Sequence, residues 1–343
     1  MDLSILNAEQ RKAVTAPLGP VCVIAGPGSG KTRVLTHRIA YMIEALGVNP
    51  RSILAVTFTN KAAGEMRSRL ERIIGDKAKE VSLGTFHSIF ARILRYEADK
   101  IEYKSNFSIL DEHDQEKIVK AILGRRNLDP KQYPAARFQN AISRLKNDLT
   151  TPTEASRMAG SYPEVLAAEI YTDYQEILGN TNKMDFDDLI VRSVQLFSEN
   201  PNILGKYRRI YQHLLVDEFQ DSDTGQYRLI QDLGLSHKDV FIVGYEDQSI
   251  YGWRGADFRH MKQFTKAFGA TTIVLERNYR STQIILDVAM DIINEQEDRY
   301  EKNLNTDRKT GQKVVMDRRE MNTKKQRLFA QRSSGFPAGL EEK

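Results

Sequence analysis

The 343-residue chain has a single cysteine, Cys22, which excludes an intramolecular disulfide. Cys22 sits inside the apolar run Val21-Cys22-Val23-Ile24-Ala25, where burial rather than reactivity is expected. Long apolar runs are absent too, and none nears the roughly 20 residues needed to cross a bilayer. The N-terminus, MDLSILNAEQRKAV, lacks the charged-then-apolar order of a signal peptide. These absences predict a soluble, cytoplasmic protein. Excess charge of one sign is also small, at net +4. From Lys302 onward there are 11 Lys/Arg against 5 Asp/Glu, which leaves residues 1–301 near −2. A basic coating over the main body is thereby excluded, and any nucleic acid would have to be held in a local groove.

With 41% hydrophobic residues the chain can bury a real core, and its length allows two or three domains. Short β-branched runs recur, each followed by a helical pattern. Val21–Ala25, Ile53–Phe58, Val81–Leu83, Leu214–Val216, Val240–Val243 and Thr272–Leu275 read as strands. Leu35, Ile39, Met42 and Leu46 fall at helical spacing after the first, Gly75 reads as the end of a helix after the second, and Phe86, Phe90 and Ile93 share a helix after the third. Alternation of this kind predicts an α/β protein with a doubly wound parallel sheet. Between Asn106 and Met184 the sequence turns polar and helix-prone, with prolines at 130, 134, 152 and 163, and reads as a helical insertion. After Val314-Val315-Met316 the apolar residues lose any period, so the last segment reads as a disordered tail, with a DNA-binding arm as the alternative.

Gly26-Pro27-Gly28-Ser29-Gly30-Lys31-Thr32 follows the first strand and precedes a helix. Glycines let backbone N–H groups turn onto phosphates, a lysine reaches the β- and γ-phosphates, and a hydroxyl holds Mg²⁺. Ala25 stands where the strict pattern has glycine. An acidic pair at the end of another strand should complete such a site, and Asp217-Glu218 after Leu214-Leu215-Val216 fits. Asp217 would hold Mg²⁺ through water, and Glu218 would orient and deprotonate the attacking water. Ser249-Ile250-Tyr251-Gly252-Trp253-Arg254-Gly255 places aromatics and an arginine between glycines, where a loop aromatic can stack on a base or else pack as a satellite of the core. Thr57-Phe58-Thr59-Asn60-Lys61 likewise ends a strand with groups suited to phosphates and stacking.

The ordered set Leu6-Asn7-Ala8-Glu9-Gln10, AGPGSGKT, AVTFTNKAAGEM, GTFHS, MDFDDL, LLVDEFQD, DQSIYGWRGA and LERNYRS resembles the UvrD/Rep/PcrA family of superfamily 1 DNA helicases, from about residue 3 to about residue 316. The resemblance implies a RecA-like P-loop domain over 1–105 and 185–277, a helical subdomain over 106–184 and the start of a second, incomplete RecA-like domain over 278–317, followed by a divergent tail over 318–343. It implies ATP and Mg²⁺ as cofactors, single-stranded DNA or single/double-strand junctions as partners, and 3′ to 5′ translocation. It also assigns roles. Gln10 reads the adenine edge and Tyr279 stacks on the base. Residues 25–32 bind the nucleotide, with Lys31 catalytic and Thr32 and Asp217 on the metal. Glu218, Gln248 and Arg280 act on the γ-phosphate, Gln248 reporting its state to the DNA site and Arg280 reaching it from across the domain cleft. Phe58, His87, Tyr251, Trp253 and Arg254 line the single-strand path. Outside its GTFHS context, His87 alone would read as structural.

Two departures from the family pattern stand out. Tyr245 in Gly244-Tyr245-Glu246-Asp247-Gln248-Ser249 puts a phenol where the family usually has a carboxylate. The resemblance also fades near Arg318, which reads as a truncated second domain that leaves Ile284–Met290 uncovered and calls for a protein partner or costs solubility. Processive unwinding by this chain alone is therefore not expected. The rival reading is an ATP- and single-strand-binding fragment with little or no turnover. A nuclease-associated relative is a third, and a small GTPase is disfavoured because Asn60-Lys61 is followed by Ala62-Ala63 rather than by a base-reading aspartate.

Overall fold

The computed structural model describes residues 2–293, 302–309 and 311, with the side chain of Arg254 outside that set. The tail expected over 318–343, and the residues around Val315 before it, lie outside the described residues. The chain packs as two compact units, one comprising Met1–Ala25 with Lys31–Leu275 and the other Gly26–Gly30 with Glu276–Lys343.

In the first unit, α1 (Ala8–Val14) starts at a capping box in which Asn7 Oδ1 accepts Gln10 N–H at 2.7 Å and Gln10 Oε1 accepts Asn7 N–H. Next comes β1 (Val21–Ala25), all five residues buried, as a strand covered on both faces must be. Within it Cys22 is 0% exposed and burial pushes its thiol up to about 12, so it is inert. The following α2 (Lys31–Glu44) buries Leu35, Ile39 and Met42, but Leu46 falls past its end and is exposed. Leu46 N–H bonds back to Tyr41 O and Val48 N–H to Met42 O, so the chain turns out of the helix before Leu46 can join its apolar stripe.

Then come β2 (Ile53–Thr57) and α3 (Asn60–Ile74), which stops at Gly75 as its sequence indicates, and β3 (Ser82–Thr85) with α4 (Phe86–Tyr96). The stretch that follows holds β4 (Ser108–Ile109), α5 (Glu112–Arg125), α6 (Ala135–Asn147), α7 (Pro152–Met158), α8 (Tyr162–Asn180) and β5 (Lys183–Met184). These four helices share an apolar cluster containing Val119, Ile122, Phe138, Ile142 and Tyr171. β4 and β5, too short to show in the sequence, pair in parallel and join the two ends of the stretch. The sheet elements resume after α9 (Phe186–Glu199) and α10 (Pro201–Ile210) with β6 (His213–Val216), α11 (Thr224–Gly234), β7 (Val240–Gly244), α12 (His260–Phe268) and β8 (Thr271–Leu275).

The six strands β3-β2-β6-β7-β1-β8 form one sheet in which each pairing is parallel. This is the mixed α/β architecture with a central parallel sheet expected of a RecA-like fold. Because the strands run one way, the loops after β1, β2, β3, β6 and β7 leave from the same edge, where α/β proteins build their sites.

The second unit contains the loop Gly26–Gly30 and α13 (Gln283–Ile293). Arg277 and Asn305 form an isolated parallel bridge, and Arg277 pairs with Asp307. On α13, Leu286 is buried while Ile285 and Ile292 are more than half exposed. Among the described residues no helix is long and apolar enough to cross a membrane.

Candidate functional site

At the end of β6 the backbone tightens. Asp217 N–H donates to Val56 O on the neighbouring strand, and Glu218 takes φ +49°. A left-handed conformation at a residue with a Cβ costs about 1–2 kcal/mol and marks a position where direction matters more than local stability. The turn brings Glu218 Oε2 to 2.7 Å from Lys31 Nζ at the start of α2. Gln248 Oε1 accepts from the same ammonium, also at 2.7 Å. Lys31 is thus held between two oxygens from two loops, with its side chain only 13% exposed.

Asp217 is buried behind this pair. Burial pushes its carboxyl up to about 7, Glu218 adds like-charge repulsion, and Lys31 opposes both. Asp221 is pushed up to about 6 by burial and by Glu218. Among the described residues no group of three or more acidic, histidine or cysteine side chains converges on a metal position, so a divalent cation here would draw on Asp217, a hydroxyl and phosphate oxygens, while the phosphates would satisfy Lys31. Thr32 follows Lys31 at the head of α2, half-buried, with a hydroxyl of the type that completes a Mg²⁺ shell.

Within the second unit, Gly28 and Gly30 take φ +67° and +92°, conformations that the loop needs and that a side chain would strain. A Cβ on Gly28 would lie 2.7 Å from Arg280 Cβ, so only glycine lets the two segments meet. Ser29 Oγ donates to Gly26 O at 2.7 Å. Tyr279 N–H donates to Gly28 O at 2.9 Å. Asn278, 1% exposed, organises this contact: Nδ2 donates to Pro27 O, while Oδ1 accepts Arg280 N–H and Ser281 N–H at 2.7 Å each. The ring of Tyr279 and the guanidinium of Arg280 remain exposed beside the loop. Gln10, in the first unit, is fully buried and spends Oε1 on the α1 cap.

The aromatic residues fall into two groups. Phe58, after β2, stacks on Tyr251 with ring centroids 4.9 Å apart, and Tyr251 lies 6.5 Å from Trp253, itself 74% exposed. His87 stands in the first turn of α4, where Thr85 and Ser88 form a capping box, and its ring is 5.6 Å from Phe186. Phe186 opens α9 and is exposed, so it joins His87 as a second aromatic surface. In the sequence it stands only within MDFDDL, directly after the N-cap aspartate, and nothing local marks it as facing solvent. Asn278 was equally silent, because its role depends on a loop 251 residues away.

Burial pushes His87 down to about 4, so it is neutral at physiological pH. The unfolded chain takes up this proton near pH 6.5, and the folded chain refuses it until about 4. Stability tied to neutral His87 is therefore full above pH 6.5 and declines as pH falls towards 4. His87→Gln should remove that component, on the order of 1–3 kcal/mol at pH 4. Urea midpoints of both proteins at pH 7.5 and pH 4.5 check it, and an equal acid loss in the two would refute it.

A family model for the UvrD/REP helicase N-terminal domain matches residues 6–269, and one for the UvrD-like helicase C-terminal domain matches residues 273–333. The ATP-dependent DNA helicase PcrA of Staphylococcus aureus (strain Mu50 / ATCC 700699) is 44% identical over 313 residues, covering 91% of this chain and 43% of that protein. The ATP-dependent DNA helicase PcrA of Bacillus subtilis (strain 168) is 46% identical over 313 residues, covering 91% and 42%. The chain thus spans less than half the length of these curated relatives. The two model matches, the similarity over 91% of this chain and the parallel sheet agree that the chain belongs to the UvrD/REP helicase family.

Proposed function

We propose that this chain binds ATP and Mg²⁺, hydrolyses ATP when engaged on single-stranded DNA, and serves as the motor part of a helicase that moves 3′ to 5′ and acts at single/double-strand junctions. The observation that carries this reading is Lys31 Nζ held at 2.7 Å by both Glu218 and Gln248, because these are the three groups a γ-phosphate would need around it.

The residues divide the work. Residues 25–30 turn N–H groups onto phosphate oxygens, and Lys31 neutralises their charge. Thr32 and Asp217 hold Mg²⁺, which when bound offsets negative charge on the phosphates. Glu218 orients the attacking water and takes its proton. Gln248 reads the γ-phosphate position, and Arg280 contributes a second cation, the kind of group worth about 10³–10⁵ in rate in related chemistry. Gln10 and Tyr279 hold the base. Phe58, Tyr251, Trp253 and Arg254, with His87 and Phe186, take the single strand by stacking and charge. In domain terms, 1–105 with 185–277 is the first RecA-like domain, 106–184 an inserted helical subdomain, and 278–317 the start of the second. The exposed Ile285 and Ile292 of α13 support a protein partner on that face.

Single-strand affinity should depend on stacking. Trp253→Ala is expected to weaken oligothymidylate binding by about 5- to 100-fold, equivalent to roughly 1–3 kcal/mol. Fluorescence anisotropy of labelled DNA reads this, and an unchanged affinity would remove Trp253 from the path.

A second reading has Tyr245 in its favour. The phenol is buried at the end of β7, where the family pattern has a carboxylate, and supports a fragment that binds ATP and DNA with little turnover. Phosphate release by the purified chain, with and without single-stranded DNA, separates the two. Stimulation by DNA supports the motor; nucleotide binding without stimulated release supports the binding fragment and overturns the motor.

A further inference from the structure

Gln220 is 1% exposed, and its carboxamide is engaged on three sides. Nε2 donates to Glu218 Oε2 at 2.9 Å and to Asp221 Oδ2 at 3.1 Å, while Oε1 accepts Tyr245 N–H at 3.0 Å. Its backbone carbonyl accepts Ser249 Oγ at 3.2 Å. Gly244 allows this approach, since a Cβ there would come within 2.8 Å of Gln220 Oε1. The loop after β6 and the loop after β7 therefore meet on one amide.

Each end of this contact leads somewhere. Glu218 Oε2, which receives Gln220 Nε2, is the same oxygen that receives Lys31 Nζ. Ser249, at the other end, lies two residues before Tyr251, which stacks on Phe58 and neighbours Trp253. If Lys31 turns to a phosphate, Glu218 Oε2 loses a cationic donor and leans on its remaining one, Gln220. An amide suits this position because it donates to an acid and accepts a backbone N–H from the same group. A carboxylate could only accept, and a hydrocarbon could do neither.

We propose that Gln220 is a positioning residue that transmits the state of the Lys31–Glu218 pair to the Tyr251–Trp253 loop, by a route separate from Gln248. The inference rests on the reading that Lys31 and Glu218 handle ATP phosphates. It gives Gln220 no contact with the nucleotide or with DNA; its effect passes through Glu218 on one side and the Tyr245–Ser249 backbone on the other.

Trp253 is the sole tryptophan and is exposed, so intrinsic emission reports on this loop directly. The full chain is titrated with a non-hydrolysable ATP analogue and Mg²⁺ while emission is followed, and binding is measured separately by calorimetry. Wild type should change emission with the midpoint of binding. Gln220→Glu should still bind the analogue but lose the emission change by about five-fold or more in amplitude. Ser249→Ala keeps the amide's contacts with Glu218 and cuts the serine link, so it should bind within about two-fold and lose roughly half the amplitude. Should Gln220→Glu not fold, Ser249→Ala decides. Full wild-type emission changes in variants that bind, or wild-type binding with silent emission, would overturn the proposal. Absence of calorimetric binding in wild type would instead overturn the ATP-binding reading beneath it.

Discussion

Glu218→Gln is expected to lower DNA-stimulated ATP hydrolysis by at least about 100-fold, within the range assigned to general-base catalysis, while nucleotide binding stays equal or tightens. The substitution is nearly isosteric, and an amide oxygen can still accept from Lys31 Nζ at 2.7 Å and from Gln220 Nε2 at 2.9 Å. The loop should therefore keep its shape, including the left-handed backbone at residue 218. What disappears is the basic group for the water proton. The carboxylate is also the counter-ion that Lys31 must leave to reach a phosphate. Glu218 is about one-third exposed, so that pair is worth at most about 1 kcal/mol, and its loss would tighten nucleotide binding by no more than roughly five-fold. Phosphate release and calorimetry on the same preparations separate these effects. Hydrolysis persisting at the wild-type rate would remove Glu218 as the base, and loss of binding along with turnover would point to a collapsed loop.

The contrast between Glu218 and its support shows which parts of the site the sequence discloses. Asp217 and Glu218 are visible because an apolar strand runs straight into them, and the strands themselves are visible because burial on both faces demands unbroken apolar runs such as Val21–Ala25. The loop Gly26–Thr32 is visible because its chemistry is local: glycines, a lysine and a hydroxyl within seven residues. Residues whose role lies in a distant partner are hidden. Gln220 reads as one more polar loop residue until Tyr245 and Ser249 arrive from the next strand. Asn278 is only one letter of LERNYRS in the sequence, although in the structure its side chain grips Pro27. Tyr251 and Phe58 are each legible as loop aromatics, but their stacking on one another depends on β2 and β7 ending at the same edge. Leu46 misled for the opposite reason, since helical spacing continues in the sequence after the backbone has turned away.

Lys146 is the largest case of this kind. In the sequence it is a lysine on an amphipathic helix, and the default expectation is a solvated face. In the structure its side chain is 0% exposed, with Nζ 2.6 Å from Asp185 Oδ2 and 2.8 Å from Asp188 Oδ1. Tyr174 OH adds a bond to Asp185 at 2.9 Å, and Nζ lies 5.0 Å from the Tyr174 ring centroid. Burial opposes the ammonium, yet Asp185 and Asp188 together hold it protonated. Lys146→Met should therefore strand two buried carboxylates and cost about 3–5 kcal/mol, with a drop in Tm on the order of 10 °C. The carboxylates also form the capping box of α9, Asp185 Oδ1 accepting Asp188 N–H at 2.8 Å. Asparagine preserves that cap, so Lys146→Met/Asp185→Asn/Asp188→Asn should recover most of the loss, because no buried charge remains unpaired. The sign with pH follows from the acids. Burial already pushes Asp185 up with Lys146 present, whereas Asp188 is held down against burial by Lys146 and, behind it, Arg192. Without the lysine the burial of both carboxyls is opposed only in part, and they shift towards the protonated form in the folded state. Their penalty is then full above the folded pKa and disappears as pH falls towards the unfolded value, so the gap between wild type and Lys146→Met should narrow from pH 8 to pH 5. A gap that stays constant with pH, or a triple variant no more stable than Lys146→Met, would mean that lost packing rather than stranded charge sets the cost. The consequence reaches the aromatic loop as well: Asn147 follows Lys146 and packs against Gly255, where an added Cβ would lie 3.1 Å from Asn147 Cβ. Loosening the end of α6 should therefore weaken single-strand binding in Lys146→Met below its own melting temperature, and the triple variant should restore it along with stability.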